Sequence, residues 1–116
     1  MGAATSTRHI GLDLGGTNLK WVILERSGDA WMTVDRGQVP TDRGGPPSVV
    51  PQVAELAIQA IRTAGGAKTV GVGVPGLYLP DSGTVLFLPN VPGDWNGVEV
   101  AGPVRAATGL PTALIN

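Results

Sequence analysis

Apolar and polar positions alternate with period two through Ile10, Leu12 and Leu14, and the alternation resumes at Leu19, Trp21 and Ile23 after Gly15-Gly16. Period two is the mark of a half-buried strand, so the pattern predicts two strands joined by a tight turn. A further turn at Ser27-Gly28-Asp29 leads to a third strand, Ala30 to Asp35, and the three strands read as an antiparallel meander. Gly37 to Pro47 is rich in Gly, Pro and Asp and reads as a loop. Beyond it the period changes. Val49, Val53, Leu56, Ala60 and Ile61 fall on one helical face and Gln52, Glu55, Gln59 and Arg62 on the other, which predicts a helix from Val49 to Ala64. Ser48 is its candidate N-cap, Pro51 lies in its first turn, and Gly65-Gly66 supplies the stop. Thr69 to Val74 predicts a strand buried between layers, because Val70, Val72 and Val74 leave little polar face. Leu77 to Gly83 is turn-like, Thr84 to Leu88 reads as a strand and Pro89 to Gly97 as a loop. A short helix, Val98 to Thr108, and a last strand, Pro111 to Ile115, complete the pattern.

Composition changes this picture by exclusion. The 116 residues hold 42% hydrophobic and 15% charged side chains, the balance of a single globular domain rather than a disordered segment. Net charge is −1 with the basic residues scattered from Arg8 to Arg105, which leaves no electrostatic footprint for nucleic acid or an anionic membrane. No apolar run approaches the roughly 20 residues of a membrane span, and Met1 to His9 lacks the apolar core of a secretory signal, so a cytoplasmic protein is expected. Cysteine is absent and His9 is the sole imidazole. Neither a zinc cluster nor a Ser/His/Asp triad can be assembled from that inventory.

Candidate chemistry concentrates at the first turn. Gly15 and Gly16 let backbone N–H groups converge on an anion, and Thr17 adds a hydroxyl donor. Asp13 would repel a phosphate directly but could hold Mg²⁺, or its bound waters, against one. The same spacing also describes an ordinary glycine turn with a solvated Asp. A literal G-x-G-x-x-G at Gly71-Val72-Gly73-Val74-Pro75-Gly76 is not a dinucleotide fingerprint, because its glycines lie within a strand and no helix opens inside it. No G-K-[ST] run is present, which excludes a Walker phosphate loop.

Four segments in order resemble the ROK family of sugar kinases, within the actin-like ATPase superfamily: Asp13-Leu14-Gly15-Gly16-Thr17, Gly71 to Gly76, Val85-Leu86-Phe87-Leu88-Pro89-Asn90 running to Trp95, and Gly109 to Asn116. The resemblance implies an α/β fold, the actin-like ATPase (ribonuclease H-like) N-terminal domain, with a mixed sheet whose first three strands are antiparallel and which helices flank. It implies that residues 8–116 are the N-terminal lobe of a ROK-type sugar kinase and that the C-terminal lobe lies outside them, so that the chain is a fragment. Asp13, Gly15, Gly16 and Thr17 would then face the phosphates of ATP, with Asp13 the indirect Mg²⁺ contact. Gly76, Asn90 and Asn116 would line a hexose pocket. The family places its catalytic Asp directly after the position of Asn116, so no catalytic residue is expected among these 116 and the fragment is expected to be inactive. Its structural zinc motif and dimer contacts are expected in the C-terminal part.

Residue chemistry bears on these roles independently. Sugar hydroxyls donate and accept, and the neutral amides of Asn90 and Asn116 do both. Asn90 also suits a turn-capping role in its Pro-rich loop. Asp94 and Asn96 read as turn formers, Trp95 as an anchor or a sugar contact, Lys20 as a solvated outward charge, His9 as a residue at a strand edge, and Trp21 and Trp31 as packing within the meander. The reaction implied is transfer of the γ-phosphoryl group of ATP to a hexose hydroxyl, glucose first, with N-acetylglucosamine, N-acetylmannosamine and fructose behind it. A polyphosphate-dependent glucokinase needs the same hairpin. A ROK transcriptional regulator would carry a DNA-binding segment before the hairpin, where only Met1 to Arg8 stand. A non-catalytic sugar-binding module remains the alternative from another class. A face meant for the missing lobe is expected to be exposed and apolar.

Overall fold

Alternating apolar residues build a sheet with one buried side. A computed structural model describes residues 5–116. Strands β1 (Ser6–Leu14), β2 (Asn18–Ser27) and β3 (Ala30–Pro40) form the antiparallel meander, followed by helix α1 (Pro46–Ala64) and strand β4 (Thr69–Gly73). Strands β5 (Leu77–Leu79), β6 (Thr84–Phe87) and β7 (Val98–Glu99), helix α2 (Ala101–Thr108) and strand β8 (Thr112–Ile115) complete the order. The main sheet has the order β3-β2-β1-β4-β8, with β1, β4 and β8 parallel, and β5-β6-β7 form a small antiparallel sheet. This is the mixed α/β sheet that the resemblance implies, and its first three strands form the antiparallel meander that the alternation predicts.

Register puts the apolar set on one face. Leu14 lies opposite Leu19, Ile10 opposite Ile23 and Val70, and Val72 opposite Leu12 and Leu114. All of these are buried, in one cluster with Val49, Val53, Leu56, Ala57 and Ala60 of α1 and Ala101 and Val104 of α2. Each Val, Leu or Ile so buried contributes about 1.5–3 kcal/mol relative to exposure. The helices pack on each other across that face.

Several boundaries differ from the sequence reading, each for a local reason. Strand β3 runs five residues past Asp35 to Pro40, because Gly37 serves the sheet rather than a turn: a Cβ there would lie 2.7 Å from the Trp21 indole. Helix α1 starts at Pro46, and its N-cap is Gly45 at φ 79°, ψ −169°, a conformation only glycine holds easily. Ser48 therefore sits inside the helix and does not cap it. Pro51 falls in the second turn, where the bond it cannot donate would have gone to the Pro47 carbonyl. Leu77–Leu79, which reads as turn-like in the sequence, pairs with β6, since Gly76 lets the chain press against the Phe87 carbonyl with no Cβ between. Val98 and Glu99 extend the small sheet, so α2 begins at Ala101 rather than Val98.

His9 is not at an edge. Strand β1 is the middle of the sheet, and His9 lies between Leu24 and Thr69 with its ring nitrogens on the Thr69 hydroxyl at 2.7 Å and the Thr7 hydroxyl at 2.9 Å. Trp21 packs against the core, whereas Trp31 is exposed and is held by the His9 ring, 5.3 Å between centroids, and by the Arg26 guanidinium. Leu77, Leu79, Leu86 and Phe87 are exposed on the β5-β6 hairpin. No helix among the described residues is long and apolar enough to cross a membrane.

Candidate functional site

The face of the sheet away from the helices is floored by small residues. In register across β1, β4 and β8 lie Gly11, Gly71 and Ala113, then Asp13, Gly73 and Ile115, and on β2 Val22 and Lys20 stand beside Gly11 and Asp13. Val22 and Ile115 lean over Gly11 and Gly71. The result is an open trough of about 840 Å³ lined by Asp13, Lys20, Trp21, Gly73, Ile115 and Asn116 among others. Asp13 is exposed at the C-terminal end of β1, where the chain turns into Gly15-Gly16-Thr17.

Three contacts fix that turn. The Gly15 N–H donates to the Asn18 carbonyl at 3.2 Å, and a Cβ on Gly15 would fall 2.7 Å from the same oxygen. The Thr41 hydroxyl donates to the Gly15 carbonyl at 2.7 Å, and the Thr41 N–H donates to the Thr17 carbonyl at 2.9 Å. On the third side Gly16 touches the backbone carbonyl of Asn90, leaving no room for a Cβ. Among the described residues neither the Gly16 nor the Thr17 N–H has an acceptor. The turn thus presents free backbone donors and the exposed Thr17 side chain, an arrangement that suits an anion.

Asn90 stands in the left-handed region at φ 68°, where asparagine is better tolerated than most residues, and its side chain is exposed. Its loop is anchored by Trp95, buried, whose Nε1 donates to the Pro92 carbonyl at 3.1 Å; the Asp94 carboxylate accepts from the Asn96 N–H at 3.1 Å. Trp95 is therefore an anchor, and Asp94 with Asn96 forms a turn. Asn116 reaches back to Gly76: its Nδ2 donates to the Val74 carbonyl at 3.2 Å and the Gly76 carbonyl at 3.0 Å. Both amide hydrogens are thus engaged, and Oδ1 is the atom left for a ligand.

The structure accordingly forms two groups. Asp13 and Asn116 line one trough, with Gly76 bonded to Asn116, while Gly16, three residues after Asp13, meets Asn90 backbone to backbone. Lys20 is exposed directly opposite Asp13 in the register. Among the described residues no group of three His, Cys, Asp or Glu could cage a metal. A lone exposed carboxylate, three and four residues before the free Gly16 and Thr17 N–H groups, suits a Mg²⁺ ion that shares its coordination with phosphate oxygens and water. Thr41 escaped the sequence reading because it lies in a stretch whose Gly and Pro content resembles any loop; its one signal is a hydroxyl placed where an extended strand ends.

The sequence profile of the ROK family matches residues 9–116. An N-acetyl-D-glucosamine kinase of Yersinia pestis bv. Antiqua (strain Nepal516) is 32% identical over 84 residues, which are 72% of this chain and 31% of that protein. The crystal structure of a ROK hexokinase from Thermus thermophilus superposes with a TM-score of 0.79 at 30% identity, over 94% of this chain and 35% of its own. A ROK family glucokinase from Streptomyces griseus, solved in complex with glucose and AMPPNP, gives 0.76 at 28% identity, over 94% and 33%. The chain thus spans about a third of the length of the proteins it matches.

Proposed function

This chain belongs to the ROK family, and from that premise we propose that its 116 residues form the donor-phosphate and sugar-facing part of a hexose kinase, glucose being the first-choice acceptor and ATP the donor. The observation that carries the reading is the turn at Gly15-Gly16-Thr17: free N–H donors follow three and four residues after the exposed Asp13, with Asn90 against the turn and Asn116 in the trough that Asp13 lines. The kinship supports it, since the Yersinia relative is a sugar kinase and the Streptomyces neighbour holds glucose with a nucleotide analogue.

The division of labour follows from the donor types. The N–H groups of Gly16 and Thr17 and the Thr17 hydroxyl bind oxygens of the transferring phosphoryl group, and preformed donors of this kind need no reorganisation as charge shifts. Asp13 holds the metal side; bound Mg²⁺ would supply neutralisation of the phosphoryl oxygens. Asn116 Oδ1 and the Asn90 amide orient sugar hydroxyls, and Gly76 keeps the backbone close to the ring. A carboxylate following Asn116 would accept the proton of the attacking hydroxyl. The 116 residues by themselves then bind ligand without turnover. Cytoplasmic location and homodimerisation belong to the same proposal.

The test is phosphoryl transfer by the protein expressed from its complete reading frame, with glucose, N-acetylglucosamine, N-acetylmannosamine and fructose as acceptors and ATP or polyphosphate as donor. Sugar-dependent transfer with ATP, fastest with glucose, is the expected outcome. A preference for polyphosphate would reassign the donor, and a preference for N-acetylglucosamine, the acceptor of the Yersinia relative's name, would reassign the sugar. Sugar binding without transfer from either donor would establish the non-catalytic module instead.

A further inference from the structure

We propose that Thr41 is a positioning residue that holds the donor face of the glycine turn outward; this rests on the reading of that turn as the phosphate site. Thr41 and Thr112 are the buried polar residues among those described, and Thr41 is only 5% exposed. Its hydroxyl and its own N–H are both committed to the turn, on the carbonyls of Gly15 and Thr17 at 2.7 Å and 2.9 Å.

The consequence lies in the planarity of the peptide. In a trans peptide the C=O and the N–H point in opposite directions, and among the described residues no peptide bond is cis. Drawing the Gly15 carbonyl to Thr41 therefore turns the Gly16 N–H away from it, and drawing the Thr17 carbonyl does the same to the Asn18 N–H. Glycine is the residue least able to enforce such an orientation, because it adopts either sign of φ with little penalty. A flipped Gly15-Gly16 peptide would aim a carbonyl oxygen at the anion and convert attraction to repulsion. The hydroxyl of Thr41 is what blocks that flip.

Thr41 is in turn held from both sides. Gln52 of α1 donates from Nε2 to the Pro40 carbonyl at 2.8 Å and accepts from the Asp42 N–H at 2.8 Å, so one amide brackets Thr41 and ties it to the helix. The turn is thereby referred to α1, which is packed on the core. The Gly15-Gly16-Thr17 backbone thus owes its orientation to a segment that itself need not touch the ligand.

The experiment uses the ¹⁵N-labelled protein expressed from its complete reading frame, titrated separately with Mg-ATP, Mg-tripolyphosphate and glucose while the amide signals of Gly15, Gly16 and Thr17 are followed. Thr41→Val removes the hydroxyl and keeps the shape and the backbone N–H bond; Thr41→Ser restores the hydroxyl. Expected are phosphate-induced shifts at Gly16 and Thr17 in the wild type, about tenfold weaker binding of both phosphates in Thr41→Val, and recovery in Thr41→Ser, with glucose affinity unchanged throughout. Gln52→Ala should reproduce a smaller part of the loss at the same amides, which gives a second measurement if Thr41→Val does not fold. Equal phosphate affinity in wild type and Thr41→Val overturns the positioning role while leaving the phosphate site standing. Parallel loss of glucose and phosphate binding marks Thr41 as merely structural and also overturns it. No shift at these amides in the wild type overturns the phosphate site and this inference together.

Discussion

The two faces of the five-stranded sheet are built from alternate residues of the same strands, yet they differ in kind. One carries Ile10, Leu12, Leu14, Leu19, Ile23, Val70, Val72 and Leu114 beneath the helices, where burial is near complete. The other carries Gly11, Asp13, Lys20, Gly71, Gly73 and Asn116's neighbour Ile115, and is open. Because side chains alternate along a strand, a single residue can contribute to stability while the next is free for chemistry. Asp13 stands between Leu12 and Leu14, its carboxylate exposed while both leucines are buried.

Substitutions on the two faces should separate cleanly, and the largest effect belongs to the covered one. Ile23→Ala, at a side chain 1% exposed, should lower unfolding free energy by about 3–4 kcal/mol in urea titration while leaving ligand-induced shifts at Gly16 in place. If it abolished binding at native concentrations of folded protein, the faces would not be independent. On the open face Asp13→Asn should leave stability within about 0.5 kcal/mol of wild type. It should reduce sugar-dependent phosphoryl transfer in the complete protein about a hundredfold, roughly 2.7 kcal/mol of transition-state stabilisation. A variant with unchanged kcat/KM would remove Asp13 from the site.

Gly16→Ala sharpens the comparison where the two loops meet. The added methyl would drive into the Asn90 carbonyl, so one of the two backbones must shift. Mg-ATP affinity should fall about tenfold, and shifts should spread to the Asn90 amide. Confinement of the change to Gly16 alone would show that the contact transmits nothing. The smallest effect is expected at the exposed side chain of Asp42, in the loop before α1. There the Gly44 N–H at 2.9 Å, and then the Ser48 hydroxyl, hold the Asp42 carboxyl below its ordinary value of 3.8. A carboxyl with a depressed folded-state pKa stabilises above its unfolded value, and the contribution is lost as pH falls through the folded one. Wild type should therefore exceed Asp42→Ala in thermal midpoint at neutral pH and converge with it below pH 3.8; a difference constant across that range would refute the ionic origin.

Much of this architecture is legible in the amino-acid sequence. Alternation at Ile10 to Leu14 and at Leu19 to Ile23 identified the central strands, and the spacing of Val49, Val53, Leu56 and Ala60 identified the buried side of α1. Boundaries were less legible, because Gly and Pro have several uses. Gly37 reads as a turn former yet makes room for the Trp21 ring, and Gly45, not Ser48, starts the helix. The short strands β5 and β7 carry too few residues for a period to emerge, and exist through pairing with β6. At the candidate site, Asp13 and the two glycines stand out as candidates by type and spacing. Asn116 bonding to Gly76 and Asn90 backing onto Gly16 join positions 40 and 74 residues apart, a relation that no local pattern encodes.

What the sequence determined by itself was therefore local: which residues alternate, where the chain turns, which few side chains are candidates for chemistry, and which family the four segments belong to. These follow from backbone geometry and residue type, which act over a few positions. Tertiary structure alone decided that both helices cover one face, that the opposite face is an open glycine-floored trough, and that Thr41 grips the turn. Such outcomes depend on strand register and loop packing, where contacts between distant residues are settled by burial of the whole apolar set at once.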